Sequence, residues 1–229
     1  MNKLLRAAVL ATMCGAGALG LAGLAGASPA DAQHLCDNVD ANGMCQMQAS
    51  GPFNDIDVSF PAYTPQHDAV TSYVQGVIDQ YTSDTDGLDV TAPMKLDVTG
   101  TTYNSGPITS VVVDVYRNTN AAHPLDWYRA FNYDNATKTP LTFDRLFRPG
   151  TDPLKTILPI VRDDLARQAG ESADIPDDTG LDPSNYQDFR LTDDAVIFYF
   201  SEDTLRPAMG SVQVSVPRSA IAGMLTPGL

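Results

Sequence analysis

The sequence predicts an α+β fold that is built mainly from antiparallel strands and carries two or three packed helices. Several short segments alternate between apolar and polar residues, and two longer segments repeat their apolar residues with helical spacing. Strands and helices do not alternate regularly, as a parallel α/β sheet would require. The alternating segments 94–98, 111–116 and 128–133 predict an antiparallel meander, because the turn-forming stretch 104–107 separates the first two.

The first 32 residues predict a signal peptide. Lys3 and Arg6 precede an uncharged stretch, 7–27, and Ala30-Asp31-Ala32 offers the small-x-small pattern of a cleavage site. A second cut after Ala27 and an uncleaved anchor are the alternatives. We therefore expect a secreted, extracellular protein, with association to the cell wall left open.

Cleavage at this site would leave two cysteines, Cys36 and Cys45. An even number of cysteines in an exported chain predicts a disulfide between them.

The elements of the mature chain are predicted in order from their local patterns. A strand over 56–60 precedes a helix that begins at Thr64-Pro65 and ends near Ser83, where apolar residues recur on one face. A second helix begins at Asp152-Pro153 and stops at Gly170, with a kink or split at Pro159. Strands over 196–200 and 212–216 and a short terminal helix complete the chain. We expect residues 33–229 to form one secreted α+β domain in two parts, 33–150 and 151–229.

The charge of the chain excludes several classes of partner. The chain has 14 basic and 28 acidic residues, a net charge of −14, which becomes −15 once residues 1–32 are removed. Nucleic-acid binding and membrane docking through a basic patch are both excluded, because each needs a positive surface. Of the acidic residues 26 are Asp, which favours helix caps and turns.

Calcium binding is the competing interpretation of this Asp bias. Asn38, Asp40, Asn42 and Gly43 have the spacing of an EF-hand loop start, but Ala49 stands where the bidentate Glu is needed. We therefore expect turns here, and neither a metal nor a cofactor.

No catalytic constellation is visible in the sequence. There is no Gly-x-Ser-x-Gly motif, and His34, His67 and His123 are the only histidines. We therefore predict no catalytic residues and no enzymatic activity. The candidate ligand-binding residues are His123, Trp127 and Tyr116; Trp127, the single Trp, is either a core anchor or a binding hot spot.

Particular stretches resemble the secreted mycobacterial immunogenic antigen family, and the resemblance covers nearly all of the mature chain. The residues that carry it are 36–45, 116–124, 151–161, 180–189, 191–200 and 216–221. More distantly, 122–123, 131–134, 141–147, 196–200 and Gly210 resemble the RsiV-like domain of lysozyme-sensing anti-sigma factors. The resemblance implies a two-part α+β domain with a β-grasp-like sheet, the second part RsiV-like, and no established catalytic residues. Asn120 and Ala121 stand where the wider family carries Gly-Gly.

These observations together predict a secreted, monomeric, non-enzymatic binding protein of the antigen or effector type. Its partner is unknown, and a protein ligand such as lysozyme or a host factor is the leading expectation. The alternative is an accessory protein that binds or modifies an envelope polysaccharide. A hydrolase centred on His123 is the third hypothesis.

Overall fold

The computed structural model describes residues 35–88, 92–170, 174–206 and 209–229. The predicted signal peptide lies outside these residues. The described strands are β1 (Met44–Ser50), β2 (Asn54–Pro61), β3 (Met94–Ser105), β4 (Ile108–Asn118), β5 (Leu125–Asp134), β6 (Thr139–Pro140), β7 (Phe189–Leu191), β8 (Ala195–Phe200) and β9 (Val212–Pro217). The described helices are α1 (His67–Thr85), α2 (Phe143–Leu146), α3 (Pro153–Ala169), α4 (Asp177–Gly180) and α5 (Arg218–Ile221), with a 3₁₀ turn at Pro183–Tyr186.

The larger of two sheets contains β1 to β6 in chain order. Its neighbouring strands are antiparallel except for β2 and β3, which run parallel because α1 connects them as a crossover. The predicted meander is confirmed as β3, β4 and β5. A helix on a mixed but mainly antiparallel sheet is also the expected β-grasp-like arrangement, so the predicted α+β class is confirmed.

Helix α1 covers one face of this sheet, which we call the helix face. Its apolar stripe is Val70, Val74, Ile78 and Tyr81, all buried against strand residues such as Val98. The stripe follows the helical period, while the strand residues follow the period of two, so both patterns meet in one core. The helix begins at His67, three residues after the predicted start, because Thr64 to Gln66 form the preceding turn.

The second core lies between α3 and the smaller sheet of β7, β8 and β9. Leu158, Val161 and Leu165 of α3 pack in this core with the aromatic residues Phe198 and Phe200 of β8. Gly170 ends the helix in the left-handed conformation, with φ of 71°. Of the predicted kink or split at Pro159, the split does not occur: α3 is a single helix over Pro153–Ala169, since burial of its apolar face outweighs the one backbone hydrogen bond that proline removes.

The smaller sheet meets the larger one at the outer edge of β5 and on the face opposite α1, where Arg190 of β7 lies over the ring of Tyr103 on β3. Asp188 accepts a hydrogen bond of 2.8 Å from the backbone N–H of Ala130, and Ser201 Oγ accepts one of 3.3 Å from that of Tyr128. The Ser211 hydroxyl donates to the carbonyl of Asp126. Side chains from the second half of the chain thus satisfy the backbone groups that β6 leaves unpaired on β5.

The N-terminal loop is closed by the predicted disulfide. Cys36 and Cys45 are bonded, with their Cα atoms 4.7 Å apart, and Cys45 is fully buried on β1. Gly43 in this loop has φ of +77°, a conformation that glycine adopts without strain.

Candidate functional site

His123 lies in the turn between β4 and β5 and contacts a carboxylate from the other end of the chain. Its Nδ1 is 3.0 Å from the carbonyl oxygen of Pro124 and 3.4 Å from Oε1 of Glu202. The Pro124 carbonyl, followed by the charge of Glu202, raises the pKa of His123 above its usual value. The side chain of His123 is 59% exposed and that of Glu202 is 19% exposed, so the imidazole is accessible from solvent while the carboxylate is mostly buried.

Two hydroxyls lie in the same region, around the backbone of Asp126. Ser211 donates to the Asp126 carbonyl, and the backbone N–H of Glu202 also points to that oxygen, at 3.5 Å. Ser201 directly precedes Glu202, and its Oγ accepts a hydrogen bond from the backbone N–H of Tyr128, two residues after Asp126. We call His123, Asp126, Ser201, Glu202 and Ser211 the junction site, because it forms where the two sheets meet.

The backbone of the junction site is unusual on both sides. Asn120, in the turn before His123, and Asp203, after Glu202, both have φ of 59°. Asn and Asp tolerate this left-handed region better than other residues with a Cβ. Each of the two therefore turns its loop sharply, and the turns bring His123 and Glu202 together.

The arrangement can act as an acid–base pair. A backbone carbonyl only accepts hydrogen bonds, so Nδ1 of His123 carries a proton and Nε2 is the basic nitrogen of the neutral ring. A carboxylate beside Nδ1–H holds the ring in this tautomer and stabilises the imidazolium after protonation. The second oxygen of Glu202, Oε2, is buried and has no hydrogen-bond partner.

Trp127 lies on the helix face, where its indole Nε1 donates a hydrogen bond of 2.8 Å to the hydroxyl of Tyr73 on α1. The Arg117 guanidinium lies over the indole, 5.6 Å from the ring centre. An open groove of about 450 Å³ runs between α1 and these strands. We call it the Trp127 groove; its residues are Ser72, Tyr73, Gly76, Val77, Gln80, Arg117 and Trp127.

Tyr116 points to the opposite face of the large sheet. Trp127 on β5 is paired with Val115 on β4, and the next residue of β4, Tyr116, is paired with Asp126. Paired residues share a face and consecutive residues of a strand alternate, so Trp127 and Tyr116 point to opposite sides. The three predicted ligand residues therefore do not line one pocket: Trp127 lines the groove, His123 belongs to the junction site, and Tyr116 is 37% exposed on the other face.

A second cavity, of about 390 Å³, lies farther along β5 beside the start of α1. Gln66 lines it and is buried; its Nε2 donates to the carbonyls of Thr109 and Phe131, while its Oε1 has no partner. Arg129 forms part of the wall and lies 3.8 Å from the Asp188 carboxylate. Burial raises the pKa of Asp188, which the Ala130 N–H and the Arg129 charge oppose.

Sequence reasoning missed the groups that come to the candidate residues from far along the chain. Glu202, Tyr73 and Arg117 were not selected, although Glu202 is one of two Glu in a chain with 26 Asp and follows a strand end. That rarity was the available signal for Glu202. Neither Tyr73 nor Arg117 carried a comparable signal.

The predicted turn interpretation of Asp40 agrees with its contacts. Its carboxylate accepts from the backbone N–H of Met44 and of Asn42, and the Met44 contact is the main cause that lowers its pKa. Within the described residues, the group of three possible metal ligands is Cys36, Cys45 and His67. Both of its sulfur atoms belong to the disulfide.

Comparison with known proteins identifies relatives over most of the chain. A model of the family described as "Protein of unknown function (DUF3298)" matches residues 144–219. The immunogenic protein MPB64 of Mycobacterium bovis is 39% identical over 209 residues, which cover 89% of this chain and 92% of the relative. The immunogenic protein MPT64 of Mycobacterium tuberculosis matches to the same extent.

One relative corrects a prediction. The chain is 43% identical over 203 residues to a Mycobacterium tuberculosis protein named Esterase Rv3036c, covering 86% of this chain and 89% of the relative. This contradicts the prediction that the chain is not an enzyme, which is therefore wrong. The prediction rested on the absence of local catalytic motifs such as Gly-x-Ser-x-Gly, on the small number of histidines and on a family resemblance that implies no established catalytic residues. Such an absence excludes one local architecture and does not exclude groups that folding brings together.

Solved structures of low sequence identity share the fold. A DUF3298 family protein of Pseudomonas aeruginosa has a TM-score of 0.58 at 12% identity, covering 85% of this chain and 97% of that one. Another, from Bacteroides fragilis, has a TM-score of 0.56 at 15% identity, covering 81% and 93%.

None of the helices in the described parts of the chain combines the length and the apolar character that crossing a membrane requires.

By its sequence identity to these relatives and its coverage of them, the chain belongs to the mycobacterial immunogenic protein family of MPT64 and MPB64, with a DUF3298 region in its second half.

Proposed function

We propose that this protein is a secreted ester hydrolase in which His123, oriented by Glu202, is the general base. The observation that carries the proposal is the contact of 3.4 Å between Nδ1 of His123 and Oε1 of Glu202. The relative named an esterase supports the reaction class. The relatives named immunogenic proteins support export, as does the predicted signal peptide.

The mechanism follows from the tautomer of His123. Nε2 takes a proton from the attacking hydroxyl, and the oxygen adds to the acyl carbon of the ester. The resulting imidazolium is stabilised by Glu202 and then returns its proton to the departing alcohol, so that the ester bond breaks and the histidine is restored. A general base of this kind contributes about 10²–10⁴-fold to the rate.

The attacking hydroxyl is either that of Ser201 or that of water. Ser201 Oγ accepts from the Tyr128 N–H, which leaves its own proton available for removal. In the serine route an acyl-enzyme forms on Ser201 and is then hydrolysed; in the water route the acid is released directly. Substitution of Ser201 by Ala separates the routes, because only the serine route loses activity and the initial burst of released alcohol.

The test of the proposed function is hydrolysis of a chromogenic ester such as p-nitrophenyl butyrate by the purified protein. We expect His123→Gln to lower kcat/KM at least about 100-fold. His67→Gln is the matched control, because His67 lies beside the disulfide at the start of α1 and does not contact the junction site. Equal activity of His123→Gln and the wild type would refute the proposal.

A protein partner with positive charge is a second candidate function, and one feature of the sheet favours it. The face opposite α1 carries a row of residues in register on neighbouring strands, in which three carboxylates flank one tyrosine: Asp57, Asp97, Tyr116 and Asp126. Lys95 pairs with the carboxylate of Asp97 at 2.7 Å, so the net negative charge of the row comes from the other two. Asp114 lies on the same face, and burial raises its pKa, followed by the charge of Asp126. A surface of this charge attracts cationic proteins at rates that fall with salt.

Lysozyme is the probe for this second candidate, and a host factor of similar charge is the other expected ligand. Titration of the protein with lysozyme at two ionic strengths should show binding that weakens at higher salt. The absence of binding at low salt would end the idea. An envelope polysaccharide partner is favoured less, since the indole N–H of Trp127 is already bonded to Tyr73.

A further inference from the structure

Gly76 occupies the middle of α1 without any packing reason. Glycine destabilises a helix interior relative to alanine, and it is usually kept where a neighbour comes close. A Cβ at Gly76 would meet nothing within 4 Å, and the residue lies on the wall of the Trp127 groove. The missing side chain therefore leaves the groove open, at a cost to the helix.

The groove combines apolar walls with one unused donor. Val77, Tyr73 and Trp127 supply apolar and aromatic surface, and the volume of about 450 Å³ lies within the range of small-molecule sites. Arg117 donates from Nη1 to Asp84 at 2.8 Å, but its Nε is buried and has no hydrogen-bond partner. A buried donor without an acceptor is unfavourable unless a ligand supplies one.

We infer that the Trp127 groove binds the apolar arm of an amphipathic carboxylate or carboxylic ester, with an oxygen of its head group accepting from Nε–H of Arg117. The carboxylate and the ester share this acceptor oxygen. Asp84 already pairs with Nη1 of the guanidinium at 2.8 Å, so the preference for the anionic form comes from the stronger charge-assisted hydrogen bond to a carboxylate oxygen. The inference names the substrate class of the proposed esterase, and for the ester it rests on that proposed function. His123 and Trp127 are four residues apart, so their Cα atoms lie within about 14 Å of each other.

The test measures binding directly, through the fluorescence of Trp127, the single Trp of the chain. Decanoate and decanol are the probes, because they share the apolar arm and differ in the head group. We expect a saturable change in fluorescence with decanoate and affinity at least about tenfold weaker for decanol. No saturable change with decanoate, or equal affinity for both probes, would overturn the inference.

Two variants locate the site. Gly76→Leu fills the groove and should abolish binding of decanoate, while Gly223→Leu, where the added side chain also meets open space, should leave it unchanged. Arg117→Gln should weaken decanoate to the level of decanol. Arg129→Gln is its matched control, since Arg129 lies over Phe131 on the same strand face but lines the second cavity.

The variant results separate the inference from the proposed function. Wild-type affinity in Gly76→Leu, or loss of binding in Arg129→Gln and not in Arg117→Gln, would refute the groove as the site. His123→Gln should bind decanoate normally. If the wild type binds decanoate but hydrolyses no ester, the esterase proposal is refuted and the ligand site in the Trp127 groove stands. If it hydrolyses the ester but does not bind decanoate, the ligand site is refuted and the esterase proposal stands.

Discussion

The indole Nε1 of Trp127 donates a hydrogen bond of 2.8 Å to the hydroxyl of Tyr73, which joins strand β5 to helix α1 across 54 residues of sequence. The Tyr73 ring also contacts Phe131 edge to face, with ring centres 5.7 Å apart. Burial raises the pKa of Tyr73, so its hydroxyl stays protonated and neutral at physiological pH. This contact holds the floor of the Trp127 groove in place.

Tyr73→Phe is therefore expected to destabilise the protein by about 1–2 kcal/mol, because it leaves the indole N–H half-buried without an acceptor. Urea denaturation followed by circular dichroism measures the free energy of unfolding. Tyr63→Phe is the control, since Tyr63 is 81% exposed and should stay within about 0.5 kcal/mol of the wild type. Equal effects of the two substitutions would show that the Trp127–Tyr73 bond contributes nothing.

The pH profile of hydrolysis tests the role of the His123–Glu202 pair. The base must be neutral, so kcat/KM should rise with pH, with a midpoint above the ordinary histidine value of 6.5. Glu202→Gln should move this midpoint down, because the carboxylate charge no longer favours the imidazolium. Stability should change with pH in the opposite direction to activity. The stabilisation that charged His123 contributes is present below pH 6.5 and is lost as pH rises through the pKa of His123 in the folded protein.

Titration of the His123 ring by NMR checks the same pKa without relying on activity. A midpoint that Glu202→Gln leaves unchanged would contradict the pairing.

Asp188 should contribute to stability through its hydrogen bond more than through its charge. Asp188→Ala removes the acceptor of the Ala130 N–H at the junction of the sheets, and we expect a loss of about 1–3 kcal/mol. Asp188→Asn keeps an acceptor oxygen and should cost less than about 1 kcal/mol, because it also removes a carboxylate that burial disfavours. Urea denaturation of both variants measures the difference, and equal losses would assign the effect to the charge.

The difference in stability between the wild type and Asp188→Asn should depend on pH with a definite sign. The pKa of Asp188 is raised in the folded protein, so the wild type should gain stability relative to Asp188→Asn as pH falls through that pKa.

Two glycine-to-alanine substitutions should have opposite effects. A Cβ at Gly100 on β3 would lie 2.7 Å from Cβ of Phe60, which is fully buried, and 3.1 Å from its Cα. Since backbone must shift, Gly100→Ala should destabilise by about 1–3 kcal/mol. Gly76→Ala enters open space in a helix and should stabilise by about 0.5–1 kcal/mol. Thermal unfolding of both variants gives the comparison, and the same sign for both would contradict it.

Local patterns predicted most of the elements because each pattern depends on a single period. The alternation of Val111, Val113 and Val115 is the buried face of β4, and the helical spacing from Val70 to Tyr81 is the buried stripe of α1. Local pattern could not decide whether the helix continues through Pro159, because the low helix propensity of one residue competes with the burial of a whole apolar face, and only the tertiary packing sets that burial.

The candidate site was predictable only in part. His123 and Trp127 were selected for their residue types, and the period of two could have shown that Tyr116 and Trp127 point to opposite faces once β4 and β5 were in register. Glu202 could not be assigned to His123, because the contact depends on how the second sheet docks on the edge of β5.

The sequence by itself determined the acidity of the chain, the pairing of Cys36 with Cys45, and the kinds of element along the chain. These depend on composition and on neighbours within a few residues. The tertiary structure alone decided which distant groups meet: Tyr73 with Trp127, Glu202 with His123, and an unpartnered Arg117 donor beside the space left at Gly76. Such contacts depend on the docking of one sheet on another and of a helix on a sheet, to which many buried residues contribute at once.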